Sequence, residues 1–318
     1  MAGPRGAIFV SEAVERTHGA ELERAAPGVP RVVLCEAGPR GDPTAVEIAY
    51  FSGDLFPERT RDFALALARA ERLRWLQTFS AGVDHPWFRT LLARGVRLST
   101  ASGAAAVPIA HTVMLYLLAL TRRLPLWLDA QREARWAPHE VVDLQERTLG
   151  VIGLGPIGLE VARLGQALRM RVVGVRRTPR GDEPCETWPL ARLDELLPRL
   201  DAVVLALPLH DETRRLLDAR RLALLRPHAL LVNVGRGELV EEPALVRALA
   251  DGRLGGAGLD VFATEPLRPE SPLWRLPNVI VTPHSSGVTP GNQTRATAIF
   301  LENVRRYVRG EALRNEVA

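Results

Sequence analysis

The sequence contains no lysine, so all 41 of its Lys/Arg positions are arginine. None of these side chains can lose its charge near neutral pH, and the guanidinium fork suits phosphates and carboxylates. A stand-alone basic block is also missing. Basic residues are scattered among acids, as in the stretch holding Asp194, Glu195, Arg199 and Asp201. Nor do aromatic and basic residues interleave in the way that grips single strands. The net charge of +4 therefore reads as a bias spread over the surface, and no nucleic-acid partner is expected.

Cysteine is nearly absent. Cys35 and Cys185 lie far apart and fit no metal-ligand spacing, so no metal is expected. Cys35 closes the apolar run from Arg31 and reads as a small buried hydrophobe. Long apolar runs are missing too. The longest helix-like one, Val113 to Leu120, is too short to span a bilayer. The first residues, with Glu12 and Glu15, do not read as a signal peptide, and a cytoplasmic protein with no membrane partner is expected. The 26 glycines and 24 prolines are dispersed and form no low-complexity tract, which excludes a fibrous or disordered chain.

What is present is length and alternation. A chain of 318 residues is comfortable for two domains. Short apolar runs at Ala7–Val10, Arg31–Leu34, Glu47–Phe51, Leu73–Phe79 and Val96–Ser99 read as strands, with helical patterns at Glu12–Arg24, Thr60–Ala70 and Pro86–Arg94 between them. Such alternation predicts a parallel sheet with helices on its faces. Ala104 to Arg123 reads as one long helix, apolar almost all round, which predicts burial at a domain or subunit interface. A second α/β series follows. Its strands fall at Thr148–Ile152, Arg171–Val175, Ala202–Ala206, Ala229–Asn233, Gly256–Asp260 and Val279–Thr282. Its helices fall at Ile157–Leu168, Leu190–Leu196, Ala219–Leu225 and Glu242–Asp251. Thr294 to Arg309 is a last helix, stopped at Gly310.

Gly153-Leu154-Gly155-Pro156-Ile157-Gly158 matches G-x-G-x-x-G between a strand and a helix, the context a dinucleotide loop requires. The first glycine allows the tight turn, the second lets a pyrophosphate approach the backbone, and the third lets helix and strand pack closely. The N–H groups of the helix start then face the phosphates. About 20 residues on, an acid normally binds the ribose hydroxyls of NAD. Here the segment is Val175-Arg176-Arg177-Thr178, and two guanidiniums and a hydroxyl suit the 2′-phosphate of NADP instead. NADP(H) is the expected cofactor, with NAD(H) as the other possibility.

Three further segments carry chemistry. Val232 to Val240 holds Arg236 between Gly235 and Gly237 just past a strand end, where small neighbours let a guanidinium grip a carboxylate. Gly258 to Pro266 holds Glu265, kept extended by Pro266. Val281 to Gly287 holds His284 past another strand end. A histidine beside a carboxylate gains a raised pKa and can hold a proton for a carbonyl oxygen.

In this order, from about Leu73 through Ala298, the motifs resemble the D-isomer-specific 2-hydroxyacid dehydrogenase family. The resemblance implies an NAD(P)-dependent oxidoreductase, with Arg236, Glu265 and His284 as its catalytic set. Arg236 orients the substrate carboxylate and carbonyl, His284 moves the proton, and Glu265 orients His284. It also implies a carboxylate-binding turn at Ser80 to Asp84, with Ala81, Gly82 and Val83 as its core. Cofactor contacts are implied from Val107, Gly153, Gly155, Pro156, Ile157, Gly158, Arg176, Arg177, Thr178, Leu207, Pro208, Thr213, Val234, Gly235, Asp260 and His284.

The expected fold is α/β with two doubly wound parallel-sheet domains. A flavodoxin-like substrate domain takes residues 1–100 and 288–318, and a Rossmann dinucleotide-binding domain takes 101–287. The expected substrate is a small 2-keto or 2-hydroxy acid, with glyoxylate or hydroxypyruvate reduction in front, and the expected assembly is a homodimer. The alternative is a dinucleotide-sensing, corepressor-like binding protein; the lack of long flanking tails argues against it. Trp136, before the nucleotide domain, reads either as a pocket residue or as plain packing.

Overall fold

The computed structural model describes residues 6–317. They divide into two compact units, one running through Ala105 and resuming at Thr289, the other Ala106–Val288. The outer ends expected for the substrate domain, residues 1–5 and 318, lie outside the described residues. The first break falls a little beyond 100 because Ala101 and Ala104 pack with Ala296, and Arg295 Nε donates to the Ala104 carbonyl at 2.5 Å.

The first unit is built from β1 (Ala7–Ser11), α1 (Glu12–Ala25), β2 (Arg31–Cys35), β3 (Gly38–Arg40), β4 (Val46–Phe51), α2 (Thr60–Ala68), β5 (Trp75–Thr78), α3 (Pro86–Ala93) and β6 (Arg97–Ser99). Its sheet runs β3-β2-β1-β4-β5-β6, parallel except for β3 on the edge. Without β3 this is the 2-1-3-4-5 order of flavodoxin-like folds. Side chains alternate along the strands. Phe9, Val32, Leu34, Ala49, Phe51 and Leu76 face one layer with Phe63, Leu67, Phe88 and Leu91; Ile8, Val10, Val33, Ile48, Tyr50 and Trp75 face the other. Both faces are covered, so β1 is buried along its whole length and reads as unbroken apolar sequence. Each such Val, Ile, Leu or Phe contributes about 1.5–3 kcal/mol by leaving water.

The second unit opens with α4 (Ala106–Thr121) and α5 (Leu124–Arg132). It continues through β7 (Thr148–Ile152), α6 (Pro156–Ala167), β8 (Arg171–Arg176), β9 (Glu186–Pro189), α7 (Leu193–Leu196), β10 (Ala202–Leu205), α8 (Ala219–Leu222), β11 (Leu230–Asn233), α9 (Glu242–Ala250), β12 (Gly256–Leu259) and β13 (Val279–Val281). The sheet order is β13-β12-β11-β10-β7-β8-β9, and every pair is parallel. This is the 3-2-1-4-5-6 dinucleotide-binding order with one more strand. Leu149, Val151, Val204 and Val232 pack under α4 and α6, while Val203, Leu205, Leu231 and Leu259 pack under α7, α8 and α9. The last helix, α10 (Pro290–Arg309), returns to the first unit. It is capped by Thr289 and stacks Phe300 on Tyr50 at 4.3 Å.

The structure departs from the sequence reading at three places. β3 and β9 were unread because Pro39, Arg40, Glu186 and Pro189 look unlike strand; both are edges, where proline and charge are tolerated. The long helix is two. Arg123 turns left-handed at φ 52°, and the chain re-enters a helix at Leu124 with Pro125 in its first turn, where the missing N–H has no bond to lose. Within the single chain α4 buries one face and leaves apolar side chains open on the other. Ala110, Val113, Tyr116 and Leu117 are buried, but Leu115 is 55% exposed and Leu118 38%. No helix among the described residues is long and apolar enough to cross a membrane.

Candidate active site

Most of the expected site residues gather past the C-terminal ends of β7, β8, β10, β11, β12 and β13. There the strand ends leave a crevice that helices and loops can line. Gly153 has φ +102°, and a Cβ on it would lie 2.7 Å from the Ala206 carbonyl oxygen. Gly158 is tighter, since a Cβ there would meet the Gly153 carbonyl oxygen at 1.9 Å. At Gly155 a Cβ would meet nothing within 4 Å, and α6 starts beside it with no side-chain cap. Two glycines are thus used to fold the loop, and the third leaves open room over N–H groups at a helix start. That arrangement fits a pyrophosphate.

The β8 end separates its two arginines. Arg176 Nη1 donates to Glu183 Oε1 at 2.9 Å. The same carboxylate accepts the Arg180 N–H at 2.7 Å and the Gly181 N–H at 2.8 Å. The Arg180 N–H foremost, with Gly181 and Arg176, holds the Glu183 carboxyl down at about 2. Arg177 projects into solvent, with Glu212 at 3.0 Å and His210 Nε2 at 3.5 Å from its Nη2. Leu207, Pro208 and His210 follow β10 on the facing loop. Thr213, expected to touch the cofactor, is buried. Its hydroxyl bonds to the Pro208 and His210 carbonyls and accepts the His210 N–H, closing its own turn.

Past β11, Asn233 shapes the loop that carries Arg236. Its Nδ2 donates to the Arg236 carbonyl at 2.9 Å and its Oδ1 accepts the Gly235 N–H at 3.1 Å. Val234 is buried and donates its N–H to Leu205. Gly237 then lies so close to the next loop that a Cβ would sit 1.8 Å from the Phe262 carbonyl carbon. This contact brings the Arg236 turn against the segment leading to Glu265. Glu265 Oε1 accepts the Phe262 N–H at 3.0 Å, and Oε2 lies 2.8 Å from His284 Nδ1. An ionised carboxylate only accepts, so the proton of a neutral imidazole sits on Nδ1 and leaves Nε2 as the exchanging nitrogen. Glu265–Pro266 is a cis peptide, and His284 has φ 51°.

Asp260, expected to reach the nicotinamide, is hydrogen-bonded to the His284 turn. It is 1% exposed. Its carboxylate accepts from Thr282 Oγ1, the Ser285 and Ser286 N–H groups and the Ser286 hydroxyl, and its carbonyl accepts the His284 N–H at 2.8 Å. No local motif announces this ring, because its members are ordinary polar residues that only the fold brings together. Val107 stands half-exposed at the start of α4. A separate cavity of about 290 Å³ opens at the opposite edge of this sheet, under Leu120, Met170, Ala202 and Leu230, far along the strands from the glycine loop.

In the first unit, Ala81, Gly82 and Val83 form the turn between β5 and α3. Ser80 Oγ donates to the Gly82 carbonyl at 2.8 Å and bonds to Thr78 Oγ1 at 3.0 Å, which fixes the turn. His85 caps α3, its Nδ1 accepting the Trp87 N–H at 3.2 Å.

Comparison with known proteins identifies the family. Residues 114–286 match the family described as D-isomer specific 2-hydroxyacid dehydrogenase, NAD binding domain. A glyoxylate reductase of Aeropyrum pernix is 33% identical over 264 residues, covering 79% of this chain and 78% of that one. A D-3-phosphoglycerate dehydrogenase of Methanocaldococcus jannaschii is likewise 33% identical over 264 residues, covering 81% of this chain; the match spans about half of that longer protein, 49%. A crystal structure of a D-isomer specific 2-hydroxyacid dehydrogenase from Xanthobacter autotrophicus, in complex with NADPH and MES, aligns with TM-score 0.80 and 32% identity, covering 100% of this chain and 98% of that one. The chain belongs to the D-isomer specific 2-hydroxyacid dehydrogenase family, and is an NAD(P)-dependent enzyme of that family.

Proposed function

We propose that the protein reduces a small 2-keto acid, glyoxylate or hydroxypyruvate, using NADPH. The observation that carries the reading is the pair of His284 Nδ1 and Glu265 Oε2 at 2.8 Å, set in the same unit as the glycine loop and Arg236. Glu265 fixes the imidazole through Nδ1, so His284 can deliver a proton from Nε2 to the carbonyl oxygen. Arg236, on a turn stiffened by Asn233, orients the carboxylate and the carbonyl of the acid. The turn at Ala81, Gly82 and Val83 in the first unit is the carboxylate-binding turn that the family resemblance implies. When bound, the nicotinamide supplies the hydride to the carbonyl carbon. In the reverse direction His284 takes the proton from the hydroxyl.

Support for NADPH comes from the β8 end, where Val175 is followed by Arg176 and Arg177 in place of an acid, and where Arg177 is largely exposed beside Glu212. The reductase named among the relatives supports the substrate class. The assembly we propose is a homodimer that covers Leu115 and Leu118 on α4 together with Leu124, Trp127 and Leu128 on α5, all of them exposed apolar side chains at helical spacing. The test of the activity is the loss of nicotinamide absorbance with purified protein and either keto acid, run with NADPH and with NADH. Faster oxidation of NADPH is expected. Equal rates would remove the cofactor preference, and no turnover of these two acids would remove the substrate assignment.

A further inference from the structure

Tyr116 sits in the middle of α4 and is fully buried. Opposite its ring, β12 carries Gly258, where a Cβ would lie 2.4 Å from Tyr116 Cγ and 2.6 Å from Cδ2. Any side chain on that strand position would exclude the ring. Through this gap the phenol reaches past the strand and forms a short hydrogen bond with Thr282 Oγ1, in the turn that carries His284. Thr282 Oγ1 in turn lies 2.5 Å from Asp260 Oδ1.

The direction of this chain follows from its members. An ionised Asp260 can only accept, so the Thr282 hydroxyl donates to it and has its lone pairs left for the phenol. Burial pushes the Tyr116 phenol up to about 12, so it keeps its proton and donates. The order is Tyr116 to Thr282 to Asp260, and Asp260 holds the N–H groups of His284, Ser285 and Ser286. His284 stands at φ 51°, a left-handed backbone that a side chain beyond glycine adopts only where its surroundings enforce it. A phenylalanine would fill the same apolar volume without a polar tip to satisfy, so packing alone does not account for the hydroxyl.

We propose that Tyr116 is a positioning residue for the reaction: its hydroxyl, through Thr282 and Asp260, fixes the turn that aims the His284 imidazole. The proposal rests on the reading of His284 as the proton donor. The test is Tyr116→Phe in the full chain, checked for folding by its thermal melt. In the cofactor-free protein, the Ser285 and Ser286 amides should exchange with deuterium about threefold to tenfold faster, the span one buried hydrogen bond covers. In turnover, kcat should fall by a similar factor, with the keto-acid KM and the NADPH Kd within about twofold, because only the aim of the proton donor has loosened. Thr282→Val should reproduce both effects and Thr282→Ser, which keeps the hydroxyl, should restore them. The double variant Tyr116→Phe/Thr282→Val should be no worse than Thr282→Val, since both remove one link. Unchanged exchange in folded Tyr116→Phe, or losses that add in the double variant, would overturn the proposal. If Tyr116→Phe does not fold, the Val and Ser variants at Thr282 decide it alone. Should His284→Ala keep its turnover, the proton-donor reading falls, while the amide exchange still reports whether Tyr116 holds the turn.

Discussion

His284 and Arg236 are read as acting on the substrate, and their loss should separate chemistry from cofactor binding. Arg236→Gln and His284→Ala are expected to lower kcat/KM by about 100-fold or more, the scale of a removed proton donor or carboxylate clamp. NADPH binding, followed by quenching of the protein's fluorescence, should stay within about threefold of the parent. Near-normal turnover in both variants would end the assignment. Gly237 has a different role. A methyl there would overlap the Phe262 carbonyl, so Gly237→Ala should destabilise by about 1–3 kcal/mol, read from the urea midpoint. It should also lower kcat, because the loops of Arg236 and Glu265 would be pushed apart.

At the scale of elements, the proposed NADPH preference rests on the end of β8. Arg176 is held by Glu183, whereas among the described residues Arg177 is engaged by the solvent-exposed Glu212 and His210, contacts that are weak in water. Arg177→Ser should therefore raise the Kd for NADPH by about tenfold or more, the value of a charged hydrogen bond, and leave NADH nearly unchanged. Arg176→Ser should act mainly by loosening residues 176–183. A drop in NADPH affinity larger for Arg176→Ser than for Arg177→Ser would reverse this division. The same loop sets a pH limit. The Glu183 carboxyl is lowered by the Arg180 and Gly181 N–H groups and by Arg176. Its contribution is therefore fully present above the ordinary carboxyl value and is lost as pH falls toward about 2. Protection of the Arg180 and Gly181 amides, taken relative to their intrinsic exchange rates, should hold at neutral pH and fall only in acid. In Glu183→Gln that protection should already be reduced at neutral pH.

For the whole molecule, α4 and α5 present more apolar surface than isolated exposed side chains account for, with Trp127 and Leu128 one turn beyond Leu124. Light scattering on the eluted protein should give twice the chain mass, and Leu115→Glu should halve it. A parent protein that elutes as a monomer at micromolar concentration would remove the dimer.

The strand series, the two sheets and the glycine loop were legible because parallel strands buried on both faces leave unbroken apolar runs, and because G-x-G-x-x-G is a local constraint on backbone and packing. Arg236, Glu265 and His284 were legible as candidates for a similar reason: each sits in a short motif just past a strand, where open α/β sheets place ligands. The edge strands β3 and β9 were not, since an edge needs no apolar alternation. The break between α4 and α5 was not either, since a proline ends a helix or begins one according to its neighbours. The hydrogen bonds that Asp260 makes to the His284 turn and Thr213 to its own turn were not legible, since they depend on loop conformation and on segments distant in the chain. The sequence by itself determined the two α/β series, the order of the motifs and the residue types of the site, because those depend on local periodicity and spacing. Only the tertiary structure decided that Arg176 and Arg177 have different partners, that Gly258 clears a path for Tyr116, and that Asp260 anchors His284, because those contacts join segments far apart in the chain.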